Sequence, residues 1–183
     1  MKKICAVLAL VAIATGVNAQ EKSKSNAIKA NLFSPLVKSG SFFYERKINQ
    51  KSSAQLGFGF TSFTPDDLKI KGIFITPEYR FYPSANREAM NGFYVGPYLR
   101  YQNLKLEENF DNEVNKATLS TFGGGVLVGR QWIFGDIVTL DIFLGPSYNS
   151  GKVKIKSGDE ITDIPGTFEG FGLRTGLTVG LAF

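Results

Sequence analysis

From residue 171 to residue 183 the chain alternates between large apolar and small or polar side chains. Phe171, Leu173, Leu177, Val179, Leu181 and Phe183 share one row with Thr175, and Gly172, Arg174, Gly176, Thr178, Gly180 and Ala182 form the other. Successive side chains of a β-strand point to opposite faces, so this segment presents one apolar face and one face of small and polar groups. A helix would spread both rows around its axis. An apolar face turned outward and a crowded polar face turned inward is the pattern of a transmembrane β-strand, which survives in lipid only if its sheet closes and leaves no unpaired edge. The terminal strand therefore predicts an all-β chain whose sheet is a closed barrel.

The other end of the sequence predicts export. Met1-Lys2-Lys3 is a basic n-region, residues 4–16 are apolar and Val17-Asn18-Ala19 is a small-residue cleavage site, the three parts of a secretory signal peptide. Cleavage after Ala19 divides the chain into a signal peptide, 1–19, and one outer-membrane β-barrel domain, 20–183. The apolar stretch is shorter than the ~20 residues a spanning helix needs, and no later window has a comparable uninterrupted run. Cys5 lies inside the leader, far from the cut, and reads as a small apolar residue instead of a lipidation site. The mature chain holds no cysteine.

Removing Lys2 and Lys3 reduces the 21 basic residues to 19, against 16 acidic ones, for a net charge of +3. The bases are scattered instead of gathered in a patch, which argues against nucleic acid. Histidine is absent. Without imidazole or thiolate the mature chain lacks the commonest strong transition-metal ligands and the usual general base for a serine nucleophile. No catalytic residue, metal site or cofactor is expected.

Period-two runs separated by turn residues divide the mature chain into strands. They cover 26–37, 41–48, 53–63, 68–82, 92–104, 117–134, 137–148 and the terminal run, after a polar lead at 20–25. Short turns at 38–40, 49–52, Thr64-Pro65-Asp66-Asp67 and Gly135-Asp136 join them, with a polar segment at 83–91, a charged loop at 105–116 and a long loop at 149–167. Phe93, Val95, Pro97, Leu99 and Tyr101 fall on one face of the fifth strand, and Val138, Leu140, Ile142, Leu144, Pro146 and Tyr148 on one face of the seventh. Both rows match the ~9–11 residues with which a tilted strand crosses a bilayer. Tyr44, Tyr79, Phe81, Phe93, Tyr101, Trp132 and Tyr148 are candidates for interfacial girdles. The expected fold is an eight-stranded antiparallel up-and-down transmembrane β-barrel. A soluble barrel with its apolar rows inside is the rival, and it explains neither the terminal Phe183 nor the charges of the opposite row.

On this pleat Glu45, Lys47, Glu78, Arg80, Arg100, Gln131, Asp141 and Arg174 point inward, interleaved with Gly57, Gly59, Gly96, Gly129, Gly145, Gly172 and Gly176. An eight-stranded barrel has an interior just wide enough for side chains to fill, and buried charge is tolerated only when paired and hydrogen-bonded. Glu45, Glu78, Arg80, Arg100, Asp141 and Arg174 are therefore expected to interlock as a lumen charge network, the alternative being a hydrated path for protons or small ions. Phe183, ending the apolar row, is the expected assembly signal. Thr76-Pro77-Glu78-Tyr79, Gly96-Pro97-Tyr98 and Gly145-Pro146-Ser147-Tyr148 each set proline on the apolar face, where it loses a ladder bond or marks a bulge. Pro77 and Pro97 are symmetric about a connection centred near Arg87 and are expected to lie side by side. Gly123-Gly124-Gly125 lies in a strand with no helix after it, which favours close packing over a phosphate-cradling loop. The acidic tips Asp111-Asn112-Glu113 and Gly158-Asp159-Glu160 lack calcium-loop spacing and read as solvated loop, with calcium or a bridge to lipopolysaccharide as the alternative.

The pieces Gly40-Ser41-Phe42-Phe43-Tyr44-Glu45-Arg46, Pro77-Glu78-Tyr79-Arg80-Phe81-Tyr82, Gly92-Phe93-Tyr94-Val95-Gly96-Pro97-Tyr98 and Gly129-Arg130-Gln131-Trp132 resemble an uncharacterised family of small outer-membrane barrels of Bacteroidota. More loosely, the whole mature chain is similar to the OmpA/OmpX-like eight-stranded class. The resemblance implies the fold and an outer-membrane location, and it implies no activity. No peptidoglycan-binding domain of the kind some larger relatives append is expected. The expected function is a non-enzymatic outer-membrane protein with a structural or surface-interaction role. A narrow ion or small-solute channel is the alternative, and a barrel-type hydrolase or acyltransferase is least favoured for want of histidine. Expected partners are outer-membrane lipid, lipopolysaccharide and the barrel-insertion machinery, with no nucleic acid; no partner for the loops 105–116 and 149–167 is legible.

Overall fold

A computed structural model describes residues 24–64, 68–84, 88–110, 113–157 and 170–183; the expected leader at 1–19, the start of the polar lead, the turn residues 65–67, the tip residues 111–112 and the tip 158–160 lie outside them. Eight strands follow one another around a closed barrel: β1 (Asn26–Asn31), β2 (Ser39–Asn49), β3 (Ser52–Phe63), β4 (Leu68–Phe81), β5 (Gly92–Phe110), β6 (Glu113–Phe134), β7 (Val138–Ser157) and β8 (Gly170–Ala182). Each pairs antiparallel with the next, and β1 closes on β8 from Ala27↔Ala182 to Asn31↔Thr178. This is the eight-stranded antiparallel up-and-down barrel that the alternation predicts. At the end where both termini lie, the Phe183 N–H donates to the Asn26 carbonyl at 2.8 Å and the Asn26 N–H donates to the Phe183 carbonyl at 3.0 Å.

Three boundaries differ from the expectation, each for a physical reason. β1 stops at Asn31 instead of reaching 37, because Ser34–Val37 form a 3-10 turn that ends on Lys38 in the left-handed region, φ 50°. Pro35 has no amide hydrogen for a ladder, and its fixed φ suits the first residues of a helical turn. Within the charged stretch expected as a loop, residues 105–110 and 113–116 are strand: β5 and β6 run on, paired from Lys105↔Thr118 to Phe110↔Glu113. β7 likewise continues to Ser157, into the stretch expected as loop. Charge excludes a strand only where that face is buried. Here Lys105 and Glu107 take the outward row while Leu104 and Leu106 are buried on the inward one. The barrel is consequently slanted, with 6 residues in β1 and 22 in β6.

Pro77, Pro97 and Pro146 are exposed on the outward face. Each keeps its pairing on one side, with Leu56, Val126 and Leu173 respectively. On the other side each stands at a break: the β4–β5 pairing skips 76–77 and 79–80, and the β6–β7 pairing skips 126–127. These breaks coincide with the missing N–H groups. Pro77 and Pro97 do not lie side by side. The register Glu78↔Tyr98 is centred on position 88, one residue beyond Arg87, so Pro77 faces Leu99 and Pro97 faces Tyr79 along the same seam. The outward groove at this seam, roughly 650 Å³ and edged by Tyr44, Leu56, Pro77 and Pro97, is backed by the buried Glu78 and Tyr98.

The inward faces form the core. Phe43 lies opposite Gly57, Tyr94 opposite Gly129 and Phe143 opposite Gly176 on neighbouring strands, the sharing of space between large and small residues that a narrow lumen imposes. Tyr82, Ala89, Tyr94, Tyr98, Leu127 and Phe143 make one buried cluster, and Ile70, Leu104, Leu106, Ala117 and Leu119 make another toward the end remote from the termini.

Gly57→Val sets two effects against each other. Valine favours a strand over glycine by up to about 1 kcal/mol, but a Cβ at Gly57 would meet the Phe43 ring at 2.8 Å, and overpacking a filled interior costs about 1–3 kcal/mol. Urea unfolding of the detergent-folded barrel should therefore show a net loss, partly recovered when Phe43→Ala is added. A Gly57→Val protein as stable as its parent would contradict this packing.

Candidate functional site

Alternation carries a belt of charged groups to the barrel axis, because each sits on the inward row of its strand. Lys29 comes from β1, Glu45 from β2, Glu78 and Arg80 from β4, Asp141 from β7 and Arg174 from β8. The Lys29 ammonium donates to Glu45 Oε2 at 2.7 Å, to Gln131 Oε1 at 3.0 Å and to Asp141 Oδ2 at 3.2 Å. Arg80 donates through Nε to Glu78 Oε1 at 2.5 Å and through Nη1 to Asp141 Oδ2 at 2.7 Å and Gln131 Oε1 at 3.0 Å. Its Nη1 also lies 3.6 Å from Glu45 Oε2. Arg174 Nη1 donates to the second oxygen of Glu78 at 3.0 Å.

Hydroxyl groups complete the set. Ser53 and Tyr82 donate to Glu45 Oε1 at 2.5 and 2.9 Å, and Tyr94 donates to Asp141 Oδ1 at 2.9 Å. All six oxygens of Glu45, Glu78 and Asp141 thus accept at least one hydrogen bond. The Arg80 guanidinium also lies over the Tyr94 ring at 4.2 Å. Lys29, Glu45, Glu78, Arg80 and Asp141 have side chains 0% exposed. Charges so far from water persist only when each meets its counter-charge and its remaining lone pairs are bonded. Each carboxylate oxygen is thus occupied by a fixed donor. An ion traversing the belt would have to separate these pairs.

The structure brings together Glu45, Glu78, Arg80, Asp141 and Arg174 from the expected network, but Arg100 stands apart. Its side chain is inward, its guanidinium lies 4.1 Å over the Phe74 ring, and no carboxylate among the described residues pairs with it. The register explains the difference. Tyr98 is level with Glu78, so Arg100 sits one inward step farther from the termini than the belt. Lys47 reaches the other way, to Glu88 in the connection after β4. Phe183 is exposed, and its main chain takes part in closing β8 on β1. Sequence reasoning missed Lys29, which donates to three side chains, although its place between the outward Ile28 and Ala30 carries the signal. It also missed the Tyr82 and Tyr94 hydroxyls, which resemble ordinary core or girdle aromatics until the opposing carboxylates are located.

A double-mutant cycle separates the belt from Arg100. Glu78→Gln leaves Arg174 without a counter-charge and takes one of three from Arg80, and it should cost about 3–5 kcal/mol in urea unfolding. Adding Arg174→Met should cost less than the sum, with a coupling of roughly 0.5–3 kcal/mol, whereas Arg100→Gln should add to Glu78→Gln within about 0.5 kcal/mol. A larger coupling to Arg100 than to Arg174 would contradict the observed pairing.

No curated protein matches the chain. Among solved structures it is similar to a major outer membrane protein from Thermus thermophilus, with 16% identity, 87% of this chain and 98% of that chain covered, and a TM-score of 0.56. It is also similar to the N-terminal β-barrel domain of Pseudomonas aeruginosa OprF, with 14% identity, coverage of 88% and 98% and a TM-score of 0.45. A third likeness is to Neisserial surface protein A, with 17% identity, coverage of 87% and 95% and a TM-score of 0.46. At such identities the first likeness shows the barrel fold and nothing finer. Residues 5–163 match a family described as "Protein of unknown function (DUF3575)", and since that span is most of the chain, the protein belongs to this family.

Proposed function

We propose that the protein is a non-enzymatic outer-membrane barrel with a structural or surface-interaction role, exported by its leader and closed along its lumen by the ion belt. The belt carries this reading, because its buried charges span the interior and every carboxylate oxygen is engaged. The outward row supports a lipid setting. Ile28, Phe42, Phe58, Ile75, Phe93, Val126, Ile142, Leu144 and Leu173, from β1 to β8, are each 42–69% exposed, and an apolar surface that encircles a whole chain far exceeds the patches of soluble monomers. Tyr44, Tyr79, Tyr101 and Tyr148 share this outward face. Arg130, also outward, lies 4.7 Å over Phe93 and 4.9 Å over Trp132, as a cation does when its stem packs in an interface and its head reaches the headgroups.

β5, β6 and β7 have 19, 22 and 20 residues, about twice the ~9–11 that cross the hydrocarbon. Short turns face the periplasm in such barrels, and the connections at 50–51 and 135–137, on the side of the termini, are short. The surplus strand length then stands outside the cell as a wall offered to lipopolysaccharide or to a surface partner. The insertion machinery that assembles barrels of this class is the other expected partner.

Planar-bilayer recordings of the purified protein test the closed lumen: no steady single-channel conductance is expected, and a stable open level would replace the closed barrel by the narrow channel. The lipid face has its own test. Arginine at the bilayer midplane costs about 2–4 kcal/mol and little near the interface, so Ile142→Arg should destabilise the folded protein far more than Tyr148→Arg in vesicle refolding titrations. Equal effects would remove Ile142 from the membrane interior.

A further inference from the structure

Among the described residues charge does not balance along the lumen. Glu45, Glu78 and Asp141 are answered by Lys29, Arg80 and Arg174. Arg100 is a fourth inward cation with no carboxylate among the described residues, its guanidinium resting on Phe74. The Arg174 guanidinium lies close by, 4.4 Å over Tyr98 and 5.0 Å over Phe143. Arg100 follows Tyr98 by two residues on the same inward row of β5, so the ring beneath Arg174 is next to Arg100 along the strand.

Two donors in this cluster have no acceptor: Arg100 Nε and the hydroxyl of Tyr98, whose side chain is only 4% exposed. A buried donor without an acceptor is costly, and a buried cation without a counter-ion, as Arg100 is among the described residues, more so. The belt below shows how this chain treats lumen charge, since every carboxylate there is answered. The excess above it is positive and donor-rich, and it attracts an anion.

Access is from one side. Side-chain exposure is nil at Lys29, Glu45, Arg80 and Asp141 and 8% at Arg174, and Arg100, Gln102 and Asn149 beyond it are half-buried. A solute therefore cannot reach the cluster through the belt, and its way in is the mouth remote from the termini, where Ile70, Leu104 and Leu106 are buried.

We propose that Arg100, Arg174 and Tyr98 bind a small soluble oxyanion, phosphate-like or carboxylate, that enters through this mouth. A guanidinium presents parallel N–H groups that match two oxygens of such an anion, and the Tyr98 hydroxyl supplies a further donor. The rings of Phe74 and Tyr98 hold the guanidinium planes in place. A lipopolysaccharide phosphate offers the same chemistry but is anchored outside the wall, while this cluster faces the axis. The site needs no conduction through the belt, so it and the closed lumen fail separately.

The test uses the full chain folded in detergent, with inorganic phosphate as probe, read by phosphorus NMR line broadening and by thermal unfolding against chloride at matched ionic strength. Phosphate should raise the unfolding temperature more than chloride does and should bind at one site. Arg100→Gln should weaken binding about tenfold or more, the scale of a lost charge-assisted hydrogen bond. Tyr98→Phe should weaken it severalfold, and Arg46→Gln, on the outward face, should leave it unchanged. If Arg100→Gln does not fold, Tyr98→Phe decides, since it removes one oxygen. Equal shifts with phosphate and chloride, parent-like binding by the Tyr98→Phe variant, or a response to lipopolysaccharide with none to phosphate would overturn the proposal.

Discussion

Lys29, Glu45, Arg80 and Asp141 are sealed from solvent, so each must find its counter-charge inside the wall, and that requirement governs much of the barrel. A sheet with one apolar and one polar face could in principle close either way round. The ions decide it. Turned outward, the same side chains would stand in hydrocarbon without partners, whereas inward they meet across the axis and replace water for one another. A one-residue slip of any strand would move its ion to the wrong face. The belt is therefore a check on register as well as a filling of space.

Packing around the belt follows from the same narrowness. Arg80 lies against Tyr94, and Tyr94 in turn lies over Gly129, so the room for the ring is made on the neighbouring strand. Proline enters only where a ladder can be broken. Pro77 and Pro97 share one seam, and the side chains behind that seam are the belt's own Glu78 and Arg80. This interrupted stretch of main-chain pairing is thus backed by strong side-chain pairing.

Much of this is legible in the sequence because a strand has period two. Parity alone assigns Glu45, Glu78, Arg80, Asp141 and Arg174 to the interior and Phe93, Ile142 and Leu173 to the outside. Parity does not give height. Which inward residues meet depends on the stagger between strands, and it is this that separates Arg100 from Glu78 although both face the axis. Charge misleads in another way. Lys105 and Glu107 read as loop, yet beyond the apolar band an outward charge meets water and the ladder continues. The short β1 was obscured by Pro35, whose apolar neighbours extend the alternation past the point where the main chain turns.

β1 also has a consequence for assembly. It meets each neighbour over five residue pairs, from Asn26↔Arg46 to Ala30↔Phe42 on one side and from Ala27↔Ala182 to Asn31↔Thr178 on the other. Main-chain bonds alone make it the weakest stave of the barrel. Its lysine, however, contacts side chains of β2, β6 and β7 at once, and the last two are contributed by the far half of the sequence. The first strand to leave the ribosome therefore gains its anchorage only after nearly all the others are in place. Closure of the ring and neutralisation of its interior are thus coupled, because a sheet not yet joined at β1 leaves Gln131 and Asp141 without their lysine.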